Sequence, residues 1–234
     1  MPITDLRLTV LEIINIVQRK MGISASTSLT DTLFTQTLLE LLNEVVADLA
    51  GDGERPELYF AVPVTAQTSV FDYAVDPPGG LVHHIYEISQ SARGPAPLTP
   101  VNLSEINLLN RITNSPGVSN QWHIVSANSS GQPVVRVFPT PGLAQNGDLF
   151  TVYGFLKPPI YTTSDANVIP VFPANVLWQG LHARALLEEN GGEPTREYQV
   201  SLAMYEKAKQ QDLNRFTVDN GPTTQFMPNR RSRR

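Results

Sequence analysis

VFPANVLWQGLHARALLEENGGEPTREYQVSLAMYEKAKQQDLNRF, residues 171–216, is the stretch whose reading decides the fold. Val176, Gly180, Ala183 and Leu187 recur at i, i+4, i+7 and i+11, the spacing of one helix face. Pro173 suits a first turn, and Asn190, Gly191 and Gly192 suit a helix end. Pro194 restarts the chain, and Tyr198, Leu202, Tyr205 and Ala208 form the stripe of a last helix whose other side carries Glu206, Lys207, Lys209 and Asp212. A connection as short as GGEP favours an antiparallel hairpin.

The N-terminal end has the same texture. Leu6, Val10, Ile13, Val17 and Met21 predict an amphipathic helix, with Thr4 able to cap it and Gly22 placed to end it. After a Ser/Thr linker, Ser28 to Asp31 fits a loose capping box, followed by Phe34, Leu38, Leu41, Val45 and Leu49 before Gly51.

Between the two helical regions the period changes to two. Leu58, Phe60, Val62 and Val64 alternate, as do Phe71, Tyr73 and Val75; DPPGG makes a turn before LVHHIYEI. Further strands are expected at QWHIVSA and PVVRVFP, joined by NSSGQ, and at DLFTVYGFL, with NLSEINLLNR as a short helix opened by Asn102 or Ser104. The pattern predicts an α+β fold: a helical bundle of N- and C-terminal helix pairs, a small antiparallel β domain inserted between them, and an extended C-terminal tail. The expected segments are 1–54 (helical pair), 55–160 (β domain), 161–216 (helical hairpin completing the bundle) and 217–234 (tail). No internal repeat is seen.

Composition narrows the function classes. Nineteen prolines, fifteen glycines and 17% charged residues indicate many turns and extended segments between a few helices. With no cysteine, disulfides, thiolate metal sites and a Cys nucleophile are excluded. MPITDLRLTV carries no basic region followed by a long apolar run, and no stretch approaches about 18 uninterrupted apolar residues, so neither a signal peptide nor a membrane span is expected. The expectation is a soluble product of a cytosol.

Catalytic signals are sparse, and catalytic, cofactor and metal residues are all read as none. His83 and His84 are adjacent in a strand, which turns them to opposite faces; His123 lies in another strand and His182 on a helix, with no HExxH pair. GVSNQ lacks the second glycine of a nucleophile elbow, and neither GxxxxGK[ST] nor GxGxxG occurs. Glu188 and Glu189 read as a solvated helix end. Trp122 and Trp178 fit either core packing or an interface anchor.

FTVDNGPTTQFMPNRRSRR, the closing stretch, has no helical or strand pattern. Of 17 Lys and Arg and 22 Asp and Glu, residues 217–234 take four and one, giving +3 and leaving 13 and 21, or −8, for residues 1–216. The partner-binding candidates are therefore Phe226 and Met227 as apolar pegs and Arg230, Arg231, Arg233 and Arg234 as forks for carboxylates; a nucleic-acid patch and a plain solvated end are the other readings.

The layout as a whole resembles the head-to-tail adaptor (connector) proteins of short-tailed bacteriophages. The resemblance rests on an N-terminal helical pair, on PLTPVNLSEINLLNR followed by QWHIVSANSSGQPVVRVFPTPG and DLFTVYGFLKPP, and on the hairpin of residues 171–216 running into the tail. It implies a structural virion protein, assembled in the host cytoplasm, that forms a twelve-copy ring beneath the portal and meets a tail or nozzle protein on the other side. In it the helices line a channel that DNA traverses without specific binding, and the C-terminal tail reaches the portal. The basic end of the tail departs from that pattern and leaves DNA contact as a rival role. Two other functions compete: a virion hydrolase acting on cell-wall glycan, resting on the polar β region and paired carboxylates such as Glu188 and Glu189, and a salt-dependent DNA-binding factor working through the terminal arginines.

Overall fold

The computed structural model describes residues 7–51, 55–90, 97–102, 104–105 and 116–219, with nothing said of side chains beyond 214. Four helices and two small sheets occur among them, an α+β fold. The chain divides into two compact units, Met1–Asp52 with Pro159–Arg234, and Gly53–Pro158.

The first unit holds α1 (Val10–Lys20), α2 (Leu33–Gly51), α3 (Ala174–Glu189) and α4 (Arg196–Asp219). Helix α1 starts later than its apolar spacing suggested: Thr9, not Thr4, is the cap, in a reciprocal box in which the Glu12 N–H donates to the Thr9 hydroxyl and the Thr9 N–H to the Glu12 carboxylate. Thr4 and Leu6 lie outside the described residues. Ser28 and Asp31 do bond each other, but within a turn ahead of α2; the hydroxyl that caps the helix is Thr32, which accepts from the Thr35 N–H at 3.0 Å. A buried polar knot holds the α1–α2 connection: Gln18 donates to the Ser26 and Thr35 hydroxyls at 3.0 Å each, while Asn15 exchanges two bonds with the Ser26 backbone. The connection into α3 is tied down similarly, since Asn43 makes both backbone bonds of Tyr161 and the carbonyls of Ala166 and Val168 take the first N–H groups of α1.

Helix α3 contacts the other three, which changes the expected single stripe. Val176, Leu177, Gly180, Leu181, Ala183, Ala185 and Leu186 are all buried, whereas Leu187 sits at the edge. A helix surrounded on several sides reads as apolar most of the way round. On α2 the buried seam is Leu38, Leu42, Val45 and Leu49, with Phe34 and Leu41 half-buried. On α4 it is Ser201, Tyr205, Ala208 and Asp212, so Asp212 belongs to the packed face and not to the solvent side, and Tyr198 and Leu202 flank it. The helix continues to Asp219, into the segment expected to be extended.

The second unit contains β1 (Tyr59–Thr65), β2 (Asp72–Ala74), β3 (Val82–Gln90), β4 (Thr99–Pro100), β5 (Gln121–Ala127), β6 (Pro133–Phe138) and β7 (Leu149–Leu156). One sheet runs β1-β7-β3 and the other β2-β6-β5-β4; every pairing is antiparallel except the short parallel pair β4–β5, a departure from the all-antiparallel expectation. Alternation does the rest. Phe60, Ile85, Ile88, Phe150 and Val152 from the first sheet and Tyr73, Trp122, Val135 and Val137 from the second close on one apolar core. Of the expected helix NLSEINLLNR, only Ser104 and Glu105 fall within the described helical residues; the remainder lies almost entirely outside the described part of the chain.

Candidate interaction surfaces

In the helical unit, α2, α3 and α4 are joined by polar contacts at the edge of their packed faces. The Arg184 guanidinium meets Glu44 at 2.9 Å and Asp48 at 3.5 Å, the Tyr205 hydroxyl donates to Asp48 at 3.1 Å, and the Lys209 ammonium lies 4.0 Å from Asp48. Half-exposed pairs of this kind are worth about 0–1 kcal/mol each and serve mainly to fix register. Lys20 on α1 places its ammonium 4.5 Å from the ring centre of Trp178 on α3. Trp178 is half-buried, whereas Trp122 is a core residue at 5% exposure with its indole N–H on the Leu98 carbonyl, so the two alternatives left open by sequence resolve differently for Trp122.

His182 on α3 is half-buried and has its protonation shifted by its surroundings. Its Nδ1 lies 2.8 Å from the Ser201 hydroxyl; burial first, and then the Lys20 charge, hold it below its ordinary value, against a smaller opposing pull from Glu197. A depressed histidine favours the neutral ring in the fold, so the unfolded chain takes up the proton first as pH falls through about 6.5. The helical unit should therefore keep this contribution above that pH and lose it below. The urea midpoint followed by Trp178 fluorescence, in a Trp122→Phe background, is expected to fall between pH 7.5 and 5.5, with a smaller fall in His182→Gln; equal falls would show that another group is responsible.

In the β unit, the outward face of the β1-β7-β3 sheet carries an aromatic cluster. Tyr153 and Phe155 alternate with the inward Val152 and Gly154, and their neighbours across the strands are Tyr59 and Tyr86. Ring centres lie 5.8–6.4 Å apart. Burial raises the Tyr59 hydroxyl above its usual value, partly offset by a hydrogen bond from Tyr86, with the charge of nearby Glu87 adding to the rise. Beside this cluster, and sharing Tyr86 with it, is a groove of about 390 Å³ lined by His84, Ile85, Pro100, Val101, Trp122, His123 and Ile124. The His123 Nδ1 is fixed 2.9 Å from the Val101 carbonyl. A bulge in β3 around Val82–His84 leaves both His83 and His84 exposed. Sequence reading missed this surface because alternation marks which residues face outward without showing that four aromatic ones converge.

Phe226, Met227, Arg230, Arg231, Arg233 and Arg234 lie outside the described residues. Glu188 and Glu189 are exposed at the end of α3. Among the described residues, no group of three or more His, Asp or Glu is placed to hold a metal ion, and no helix is long and apolar enough to cross a membrane.

Taken with the two sheets and the α3–α4 hairpin, these features define an α+β protein whose distinctive surfaces are made of aromatic and apolar side chains suited to contact. Residues 8–232 match the family model of the SU10 adaptor protein, and the chain belongs to that family. The match spans both units, in agreement with the head-to-tail adaptor resemblance drawn from the order of the elements. No curated protein matches the chain.

Proposed function

We propose that the protein is a structural, non-enzymatic head-to-tail adaptor of a bacteriophage virion, placed as a ring beneath the portal and linking it to a tail or nozzle protein around a channel for DNA. The observation that carries this reading is the match to an adaptor family over residues 8–232. The segments then divide the work: helices within 1–54 and 161–216 form one bundle, the β domain of 55–160 presents contact surfaces, and 217–234 is a portal-binding tail using Phe226, Met227 and the four arginines. A ring of copies, twelve on the resemblance, needs self-contact, and Leu33, Val200 and Met204 offer exposed apolar side chains on the helical unit for it. An acidic body of −8 suits a channel that passes DNA without holding it. Assembly in the host cytoplasm follows from the same reading.

The test is capture of the full chain by portal, against a chain lacking residues 220–234. Removing the tail is expected to weaken capture at least about ten-fold, the loss of roughly 1.4 kcal/mol or more of contact. Undiminished capture would end the tether role, and chains that neither associate nor bind portal would end the adaptor reading.

A further inference from the structure

We propose that the tyrosine face of the β1-β7-β3 sheet and the groove beside it form a berth for residues 220–234 of a neighbouring copy, with Phe226 and Met227 in the groove and the arginines over the rings. The surface has two parts of different chemistry. Tyr59, Tyr86, Tyr153 and Phe155 present π faces flanked by the Glu87 carboxylate, a combination that suits guanidinium, which stacks on rings and forks onto carboxylates. The groove is lined mainly by apolar side chains, Ile85, Trp122 and Ile124 among them, with His84 and His123 beside them, and suits uncharged pegs.

The closing segment carries the matching chemistry in a matching order. Its apolar pair at 226–227 is followed by arginines at 230, 231, 233 and 234. An extended chain spans about 3.3 Å per residue, which separates pegs and forks by roughly 10–25 Å. Tyr86 belongs to both parts of the surface, so one extended segment can engage groove and rings together. From Asp219, where α4 ends, residues 220–234 reach up to about 50 Å. Charge favours the encounter, since residues 1–216 carry −8 and residues 217–234 carry +3.

The inference rests on the self-associating reading above, and it gives the tail a second partner: a neighbour's β unit before the portal is met, the portal afterwards. The experiment places benzoylphenylalanine at position 226 of the full chain, mixes it with an equal amount of ¹⁵N-labelled unsubstituted chain, and maps the light–heavy bridges formed on illumination. Bridges to heavy peptides containing Tyr86, Trp122 or Tyr153 are expected. They should fall about five-fold when Arg230, Arg231, Arg233 and Arg234, which lie outside the described residues, are replaced by serine in the light chain, and similarly with Tyr86→Ser and Tyr153→Ser in the heavy chain. Bridges elsewhere, only within light chains, or unaffected by the arginine replacements would overturn the berth. Native mass of the same mixture separates the two failures: copies that associate without these bridges sink the berth alone, whereas copies that stay apart with and without portal sink the ring as well.

Discussion

Gly154→Ala is expected to destabilise the β unit by about 3 kcal/mol or more, the upper end of what overpacking costs. Gly154 sits mid-strand in β7, the central strand of its sheet, opposite Phe60 of β1 and Ile85 of β3. A Cβ there would overlap the His84 carbonyl oxygen and come within 2.8 Å of two carbons of the Phe60 ring. The ring can swing only into a core that is already closed, and the carbonyl is backbone, anchored in a strand whose register is set by the adjacent bulge. Against this stand a strand-propensity gain within about 1 kcal/mol and an unfolded-state entropy gain of about 0.4–1 kcal/mol, too little to change the sign. Gly117→Ala is the control in the same unit, because its Cβ would meet Pro139 at an ordinary 3.5 Å. Each unit holds one of the two tryptophans, so Trp122 fluorescence in a Trp178→Phe background isolates the β unit during urea unfolding. A midpoint for Gly154→Ala equal to that of Gly117→Ala would refute the overlap.

The strands were the most legible part of the sequence. QWHIVSA is β5 residue for residue, and PVVRVFP and DLFTVYGFL differ from β6 and β7 by one residue at an end. Period-two alternation survives because one face of each strand meets a single core, while NSSGQ supplies the turn, with Gly131 at a φ of 78°. Helix ends were less legible: the apolar spacing from Leu6 led to Thr4 as the cap, whereas the helix is capped by Thr9 in its reciprocal box with Glu12. Helix faces were least legible where partners are many: a single apolar stripe is a good description of α1, but α3 touches three helices, and Asp212 is buried on α4 despite its charge. The candidate surface was invisible for a related reason. Tyr59, Tyr86, Tyr153 and Phe155 are separated by up to 96 positions in the chain, and only the order β1-β7-β3 makes them neighbours. Gly154 and Gly180 belong to the same category, because a glycine required by a neighbour's close approach carries no local signal.

Tyr205→Ala is expected to be the most damaging single change in the helical unit, at about 3–5 kcal/mol, the range for emptying a large aromatic site. The ring is 3% exposed, and its Cδ2 and Cε2 stand 3.0 and 2.8 Å from where a Cβ on Gly180 would be. Its hydroxyl donates to Asp48, whose side chain is 41% exposed, so Tyr205→Phe removes only a partly hydrated bond and should cost about 1 kcal/mol. The difference between the two variants therefore measures packing. The same geometry makes Gly180→Ala informative. In the unmodified chain its helix-propensity gain of about 1 kcal/mol is outweighed by overlap with Tyr205 and with Val45 Cγ1 at 2.8 Å, for a net loss of about 1–2 kcal/mol. With Tyr205→Ala already present the ring contacts vanish and only Val45 remains, so the added cost of Gly180→Ala should drop to near zero. That is a coupling of about 1–2 kcal/mol, readable from the four urea midpoints followed by Trp178 in a Trp122→Phe background. Strict additivity across the cycle would mean that α3 and α4 do not approach closely at Gly180, and with that the packing assigned to the hairpin of residues 171–216 would fail.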